Sequence, residues 1–330
     1  MGTKYGLYSS YNIIKVPPPD KGVQDNPLQK ASIVCTIPMS NKHPSYYHSF
    51  GMTDNYFIYV EQPLILNIWK LVIMKIMGYT FADCMEFHKD WPTRIHLCNR
   101  ETSQLTEIKY IADALFLFHH VNAYEDNGHM VIDIFAYEDD LIMKRMYMKV
   151  AQDGHDLPLS RPYRFVLPLY IPKNTKVGVN LVTLDNCQAT AMLREDGSVY
   201  CHHELLFDPN IIAEFPRINY DDCNGKKYRY FYSSGRDLMQ LLKYDLEKRT
   251  IKAWKEDDMF GSEPVFIAKP GATKEDEGVV ISSVLSGDEK KSSFLLILDG
   301  ESFEEIGRAV TPAHVQNSFG GHGLFDFTIN

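Results

Sequence analysis

The sequence has few cysteines, and no two of them stand at metal-binding or redox spacing. No pair is separated by only two residues, which excludes a C-x-x-C zinc knuckle or thioredoxin-like motif. We expect reduced thiols in a cytosolic protein, because disulfides are rare in that compartment. The six widely spaced cysteines are Cys35, Cys84, Cys98, Cys187, Cys201 and Cys223.

The sequence also lacks the excess of basic residues that a nucleic-acid surface requires. Its formal net charge is -9 and its pI is about 5.7, whereas neutralising phosphates needs clustered lysine and arginine. We therefore expect no nucleic-acid partner. The short basic run at 225–227 follows an asparagine, and Asn-Gly chemistry predicts a hairpin turn there.

From the sequence as given we expect neither a secretory leader nor a membrane-spanning segment. Residues 1–10 contain no apolar core of a secretory signal. The apolar run at 64–77 is about 14 residues long and contains two lysines, which makes it too short and too charged to cross a bilayer. These observations predict a cytoplasmic protein.

Helical periodicity is scarce, and short β-type runs separated by turns predominate. At 330 residues and 45% hydrophobic composition, the chain can bury a large core. Regular short strands predict an all-β sandwich, barrel or propeller, and we treat residues 1–330 as a single domain. No repeated WD or kelch signature is present. The predicted strands are 8–16, 32–37, 56–60, 129–136, 164–170, 198–202, 228–232, 241–244, 279–285 and 293–298.

The run at 64–77 interrupts the β pattern and allows two interpretations. Wound as a helix, its polar residues Asn67, Lys70 and Lys75 fall on one arc, and apolar residues cover the rest. One interpretation is an ordinary helix that packs on a sheet. The other is an interfacial helix that dips into a membrane, with the tryptophan at the boundary. The residues predicted to contact the membrane are Leu64, Ile68, Trp69, Val72 and Ile73.

Histidines mark the candidate chemistry. His119 and His120 are adjacent in a predicted strand, so their side chains point to opposite faces, and we expect one of them to face a group that requires a nitrogen lone pair. His48 and His322 lie in similar apolar, turn-like settings. Each of these two taken alone is more often a structural histidine, although the glycines around His322 allow close approach of the backbone.

Six segments surround or accompany these histidines: YHSFG (47–51), FHHVNAYE (118–125), RFVLPL (164–169), EFPRINY (214–220), SEPVF (262–266) and GHGLF (321–325). Together they resemble the carotenoid cleavage oxygenases, a family that includes β-carotene oxygenases, the insect isomerooxygenase, the retinoid isomerohydrolase and plant dioxygenases. The segments occur in the family's order and span nearly the whole chain.

The resemblance implies a seven-bladed β-propeller with a helical and loop cap over an axial Fe(II) that four histidines hold. Three of the ligands map to His48, His119 and His322. The plant members keep only the first histidine of the pair, which selects His119 and leaves His120 as structural. Glu214 and Glu263 match carboxylates that hydrogen-bond ligand histidines and fix their orientation.

The chain departs from the family pattern at its beginning. The remaining histidine ligand and a third glutamate of the family would precede residue 1, so the resemblance implies about five of the seven blades. We therefore expect an N-terminally incomplete propeller domain.

The expected activity is oxidative cleavage of a carotenoid double bond by a non-haem Fe(II) dioxygenase that yields retinal or an apocarotenal, with coupled trans–cis isomerisation as a further expectation. The stretch 131–139 looks more like the carotene oxygenases than the isomerohydrolase. Two alternatives remain: a retinyl ester isomerohydrolase, and a non-catalytic carotenoid- or retinoid-binding paralogue.

The expected partners are a carotenoid or retinoid, O2 and a membrane surface to which the protein attaches peripherally. A lipid-dissolved polyene would enter an apolar tunnel without crossing water, and the family's tunnel mouth falls at 64–77. The aromatic residues predicted to line the tunnel are Phe50, Phe118, Tyr137 and Phe319, for each of which plain core packing is the other interpretation.

Overall fold

Strands make up most of the ordered structure. The computed structural model describes residues 1–18, 26–147, 158, 160–235, 238–288 and 290–312. Within these ranges the helices are short: α1 Ile68–Met77, α2 Leu141–Arg145 and α3 Tyr220–Cys223, with 3-10 turns at Pro27–Lys30 and Ala82–Cys84. The expectation of a mainly β protein is confirmed.

The described strands form five sheets of three or more strands and one two-stranded sheet. Sheet I consists of β1 Gly2–Lys4, β2 Ser10–Lys15 and β3 Ser32–Pro38. Sheet II has β4 Gly51–Met52, β5 Tyr56–Glu61, β8 Thr93–Asn99 and β9 Tyr110–Ala112, extended by β14 Val199–His202 and β13 Thr190–Leu193. The two-stranded sheet is β6 Leu64–Leu66 with β7 Met85–Phe87.

The remaining sheets follow in chain order. Sheet III contains β10 Phe116–Asp126, β11 His129–Tyr137, β12 Arg161–Pro168 and β15 Glu204–Leu205. Sheet IV contains β16 Ala213–Arg217, β17 Tyr230–Gly235, β18 Gln240–Asp245 and β19 Thr250–Trp254. Sheet V contains β20 Met259–Gly261, β21 Val265–Ala268, β22 Gly278–Ser286, β23 Phe294–Asp299 and β24 Glu305–Val310.

The core is divided among the interfaces between successive sheets. One apolar cluster joins sheets I and II, the next joins II and III, and two more join III to IV and IV to V. Large aromatic side chains such as Phe135 and Phe231 are fully buried there. Each sheet is therefore held mainly by its neighbours in the sequence.

Local sequence explains the tight β10–β11 hairpin. Its two turn residues, Asn127 and Gly128, both have positive φ angles of 45° and 77°. A two-residue hairpin requires this conformation, which asparagine and glycine adopt most easily.

Two expectations about local structure are wrong. Residues 225–227 do not form a tight hairpin turn, because helix α3 precedes them in the longer connection between the paired strands β16 and β17. Leu64 cannot contact a membrane: it lies in β6 rather than in the helix and is fully buried beside Phe116 and Tyr137.

The expectation of six reduced thiols is wrong for one pair. Packing of sheet I on sheet II brings Cys35 of β3 and Cys98 of β8 together with their Cα atoms 6.7 Å apart, and they form a disulfide. The other four cysteines are free thiols.

Candidate metal centre

His119 and His120 lie where the pairing of β10 with β11 is irregular. The register shifts between Leu117 and His120 and again between His120 and Asn122. Irregularities of this kind redirect side chains. The Nδ1 atom of His119 lies 2.8 Å from Glu214, whereas Nδ1 of His120 lies 2.9 Å from the hydroxyl of Ser49. The prediction that the two neighbours meet different groups is confirmed.

Glu214 of β16 reaches His119 from a position next to a strained residue. The following residue, Phe215, has a φ of 60°, which is unfavourable for a bulky side chain. The register of β16 against β17 shifts between Glu214 and Arg217. The Phe215 ring also lies 5.5 Å from the His119 ring. The strain thus coincides with the point at which sheet IV reaches the histidine.

Hydrogen bonds hold the Glu214 carboxylate in place. The Ser160 hydroxyl donates to Oε1 at 3.2 Å, and the backbone N–H of Phe215 donates to Oε2 at 3.2 Å. A carboxylate in this position accepts the Nδ1–H of His119, so the lone pair of the neutral ring is on Nε2. That tautomer is the one a metal ligand needs.

His48 lies in the loop before β4 and converges on His119. The two ring centroids are 4.9 Å apart and the ring planes are nearly perpendicular, at 86°. The hydroxyl of Tyr46 is 3.1 Å from Nδ1 of His48. The structure therefore brings together two of the three predicted ligands, which are 71 residues apart in the sequence.

Glu263 occupies the loop between β20 and β21 and is 6% exposed. One of its oxygens lies 3.9 Å from the guanidinium of Arg217. Its predicted role beside a ligand histidine stays a prediction. His322 and Phe319 lie outside the described residues.

The residues that the structure describes supply some of the side chains that a metal centre needs. Across the ranges given above, no group of three His, Cys, Asp or Glu side chains is arranged to hold a metal ion. The pair His48 and His119 nevertheless has the donor chemistry that suits Fe(II), namely imidazoles with one ring oriented by a carboxylate.

Aromatic side chains pack beside the two histidines. The Phe118 ring lies 5.6 Å from His48 and 6.0 Å from Tyr137. Burial, and then the charge of nearby Glu214, raise the pKa of Tyr137 well above its usual value, so the phenol stays protonated. Phe50 packs elsewhere, 6.4 Å from Phe57 in the cluster between sheets I and II.

Sequence reasoning missed three residues that contact this site: Ser49, Tyr46 and Ser160. The first two flank His48 closely, within a segment in which only the histidine stands out. Ser160 is 54 residues from Glu214, and nothing in its local sequence indicates the contact.

Helix α1 carries an exposed apolar surface. Asn67 caps its first turn by accepting from two backbone N–H groups, and Gly78 ends it with a φ of 68°. Trp69, Val72 and Ile76 are 72%, 70% and 85% exposed. No residue of the helix is fully buried, and Ile68 is half-buried. In the part of the chain that is described, no helix has the length and hydropathy of a membrane-spanning segment.

Comparisons with known proteins assign the chain to a family. The family model described as retinal pigment epithelial membrane protein matches residues 1–326. The chain is 40% identical to human beta,beta-carotene 15,15'-dioxygenase over 96% of its length. It is 39% identical to the mitochondrial carotenoid-cleaving dioxygenase of Mustela putorius furo over 98% of its length. The chain belongs to the carotenoid oxygenase family.

Solved structures show the same fold. A crystal structure of cobalt-substituted Synechocystis ACO aligns with 94% of this carotenoid oxygenase chain at a TM-score of 0.69 and 22% identity, covering 57% of that protein. The chain spans 59% of the human dioxygenase and 63% of the Mustela enzyme. It thus corresponds to about three fifths of these relatives.

Proposed function

We propose that this chain carries the substrate and metal site of a non-haem Fe(II) dioxygenase that cleaves a carotenoid double bond to retinal or an apocarotenal. The observation that supports this most strongly is the convergence of His48 and His119, with Glu214 fixing the tautomer of His119. The names of the relatives, which describe carotenoid-cleaving and carotene dioxygenases, support the substrate class.

In this proposal His48, His119 and His322 hold the iron, while Glu214 and Glu263 orient ligand rings. Bound Fe(II) would supply the position at which dioxygen is activated. The protein's own contribution is to hold one double bond of an extended hydrocarbon against that position. A symmetric polyene has few polar groups that the protein could bind. The shape of the apolar surroundings therefore selects the double bond that is cleaved.

The aromatic wall of Phe118 and Tyr137 is suited to that task. Both rings lie in the cluster that also contains Phe87 of β7, and β7 is joined to helix α1 by a short connection. We propose that a polyene reaches the histidines along this cluster and that α1 docks on the membrane from which the polyene comes. Phe50 is not part of this wall, because it packs between sheets I and II.

The five large sheets correspond, in this proposal, to blades of the seven-bladed propeller that the family resemblance implies. Three observations support this: the first strands of the five sheets occur in chain order, each sheet packs on the next, and β4, β10 and β16 lie at the edges of their sheets. Trans–cis isomerisation coupled to cleavage remains part of the proposal.

Iron content and product analysis test the proposal. His119→Ala should reduce bound iron to background and abolish conversion of β-carotene, because the variant loses both a ligand and the partner of Glu214. His202→Ala, which removes an exposed histidine of sheet II, is the matched control and should keep its iron. Unchanged iron in His119→Ala would overturn the assignment.

Incubating the same protein with different substrates distinguishes the dioxygenase from the two alternative functions. Retinal from β-carotene supports the dioxygenase. Conversion of a retinyl ester without cleavage of β-carotene would instead indicate an isomerohydrolase, and saturable carotenoid binding without turnover would indicate a binding protein.

A further inference from the structure

The Ser49 hydroxyl connects the loop of His48 to both sides of His119. It donates to the backbone carbonyl of Phe118 at 2.8 Å. The backbone N–H of His120 donates to it at 3.1 Å, and Nδ1 of the same residue lies 2.9 Å away. One hydroxyl therefore contacts the residue before and the residue after a predicted ligand.

The number of hydrogens available fixes the direction of these bonds. A serine hydroxyl has one proton, and here it goes to the Phe118 carbonyl. The oxygen must then accept from His120 twice, through the backbone N–H and through Nδ1–H. His120 is held as the Nδ1 tautomer, and its ring cannot turn without breaking this bond.

These contacts provide hydrogen-bond partners for backbone groups of β10 that the sheet leaves unpaired. Among the described strands β10 lies at one edge of sheet III, and its register is broken on both sides of His120. Buried backbone groups need partners. Gln62 satisfies Leu117 in the same way, accepting its N–H at 2.7 Å and donating to its carbonyl at 3.3 Å.

Close packing reinforces the contact. A Cβ atom on Gly51 would lie 3.3 Å from Ile58 and 3.4 Å from Cδ2 of the His120 ring. The loop that carries His48 is therefore pressed against the His120 ring as well as bonded to it. Displacement of the loop would change the distance between His48 and His119.

We propose that Ser49 is a positioning residue that sets the separation and orientation of the metal ligands His48 and His119. This inference rests on the proposed function. It also gives the two adjacent histidines different roles. His119 binds the metal, and His120 holds the loop that carries the other ligand, His48.

Metal binding to the purified chain tests this. Co(II) is added to metal-free protein, and its dissociation constant and visible absorption spectrum are measured. Ser49→Ala should weaken binding about tenfold, the lower end of the effect seen when a partner of a metal ligand is removed, and should change the spectrum. Ser49→Thr keeps the hydroxyl and should bind within about threefold of the original chain.

Ser233→Ala is the control for loss of a buried hydroxyl. Ser233 is fully buried and donates to Tyr244 at 3.1 Å, so this variant should lower the melting temperature about as much as Ser49→Ala without weakening Co(II). A second test removes only the ring contact. The Phe118 carbonyl and the backbone N–H at position 120 still bond to Ser49 in a His120→Leu protein, so the effects of Ser49→Ala and His120→Leu should be less than additive.

Three results would overturn the inference. They are an unchanged dissociation constant in Ser49→Ala, an equal weakening in Ser233→Ala, and full additivity with His120→Leu. If the unaltered chain binds no Co(II), both the proposed function and the inference fail; if it binds and Ser49→Ala binds equally, the inference fails alone.

Discussion

His119 and His120 show how far strand alternation alone determines the surroundings of single residues. Alternation predicts that the two side chains face different groups, and the contacts with Glu214 and Ser49 confirm it. Alternation does not say which of them would bind a metal. The family resemblance predicts that it is His119, whose partner Glu214 is 95 residues away, and no local pattern connects the two.

Glu61 is a buried carboxylate outside the candidate metal centre. It is 1% exposed and accepts hydrogen bonds from Nε2 of His96 and from the backbone N–H of Ser40, both at 2.9 Å. Burial alone would raise its pKa, but the hydrogen bond and charge of His96 and the Ser40 donors bring it below the usual 4.5. A carboxyl whose pKa is lowered by folding stabilises the protein above its unfolded pKa, and this stabilisation is lost as the pH falls below 4.5.

We predict that Glu61→Gln lowers the free energy of unfolding at pH 7 by about 1–3 kcal/mol, the cost of disturbing a buried hydrogen-bonded group. Urea denaturation at pH 7 and pH 4 measures it, and the difference from the original protein should shrink at pH 4. The exposed residue Glu195 provides the control Glu195→Gln, with little effect at either pH. An equal difference at both pH values would contradict the role of the charge.

The elements of this chain differ in how well sequence predicts them. Strand positions such as 56–60 and 129–136 lie within one residue of the observed β5 and β11, because alternating and continuous apolar runs define them directly. The irregularities in β10 and β16 have no such signal in the sequence. Phe215 adopts a conformation that its side chain disfavours, so tertiary contacts at the site override local preference there.

Helix α1 leads to a prediction about membranes. Val72→Asp combined with Ile76→Asp should reduce binding to phosphatidylcholine and phosphatidylserine vesicles (4:1) more than tenfold, because each fully buried apolar side chain contributes about 1.5–3 kcal/mol. Co-sedimentation measures the binding. Both side chains are exposed, so the melting temperature should hardly change.

The matched control is Leu7→Asp, since Leu7 is 91% exposed and lies outside helix α1. This variant should sediment with vesicles as the unaltered chain does. Equal loss in the control, or no loss in the α1 variant, would contradict a docking role for the helix.

Across the whole molecule, sequence predicts the β architecture but not how the sheets meet. The disulfide shows why: Cys35 and Cys98 are 63 residues apart, and their pairing depends on the packing of sheet I on sheet II. Composition and spacing favour reduced thiols, and neither reports on the distance between two strands.

The disulfide gives a prediction for the whole fold. A cross-link that closes a loop of this length stabilises a protein by up to about 4 kcal/mol in the chain-entropy estimate. A reducing agent should therefore lower the melting temperature of the unaltered chain. Cys98→Ala should melt at that lower temperature and be insensitive to reductant, whereas Cys201→Ala, which removes a buried free thiol, should keep the sensitivity. Calorimetry with and without dithiothreitol measures this, and an insensitive unaltered chain would contradict it.

The convergence of His48 on His119 links sheet II to sheet III at a point between two edge strands. A metal held there would bind the folded state and not the unfolded chain, so the free energy of unfolding would rise with the logarithm of metal concentration. By the same thermodynamic linkage, a substitution that opens the interface between these sheets in a sizeable fraction of the molecules would raise the apparent metal dissociation constant, however far it lies from the histidines, because only the closed fraction binds metal. Metal affinity in this protein is thus also a measure of how firmly neighbouring sheets are joined.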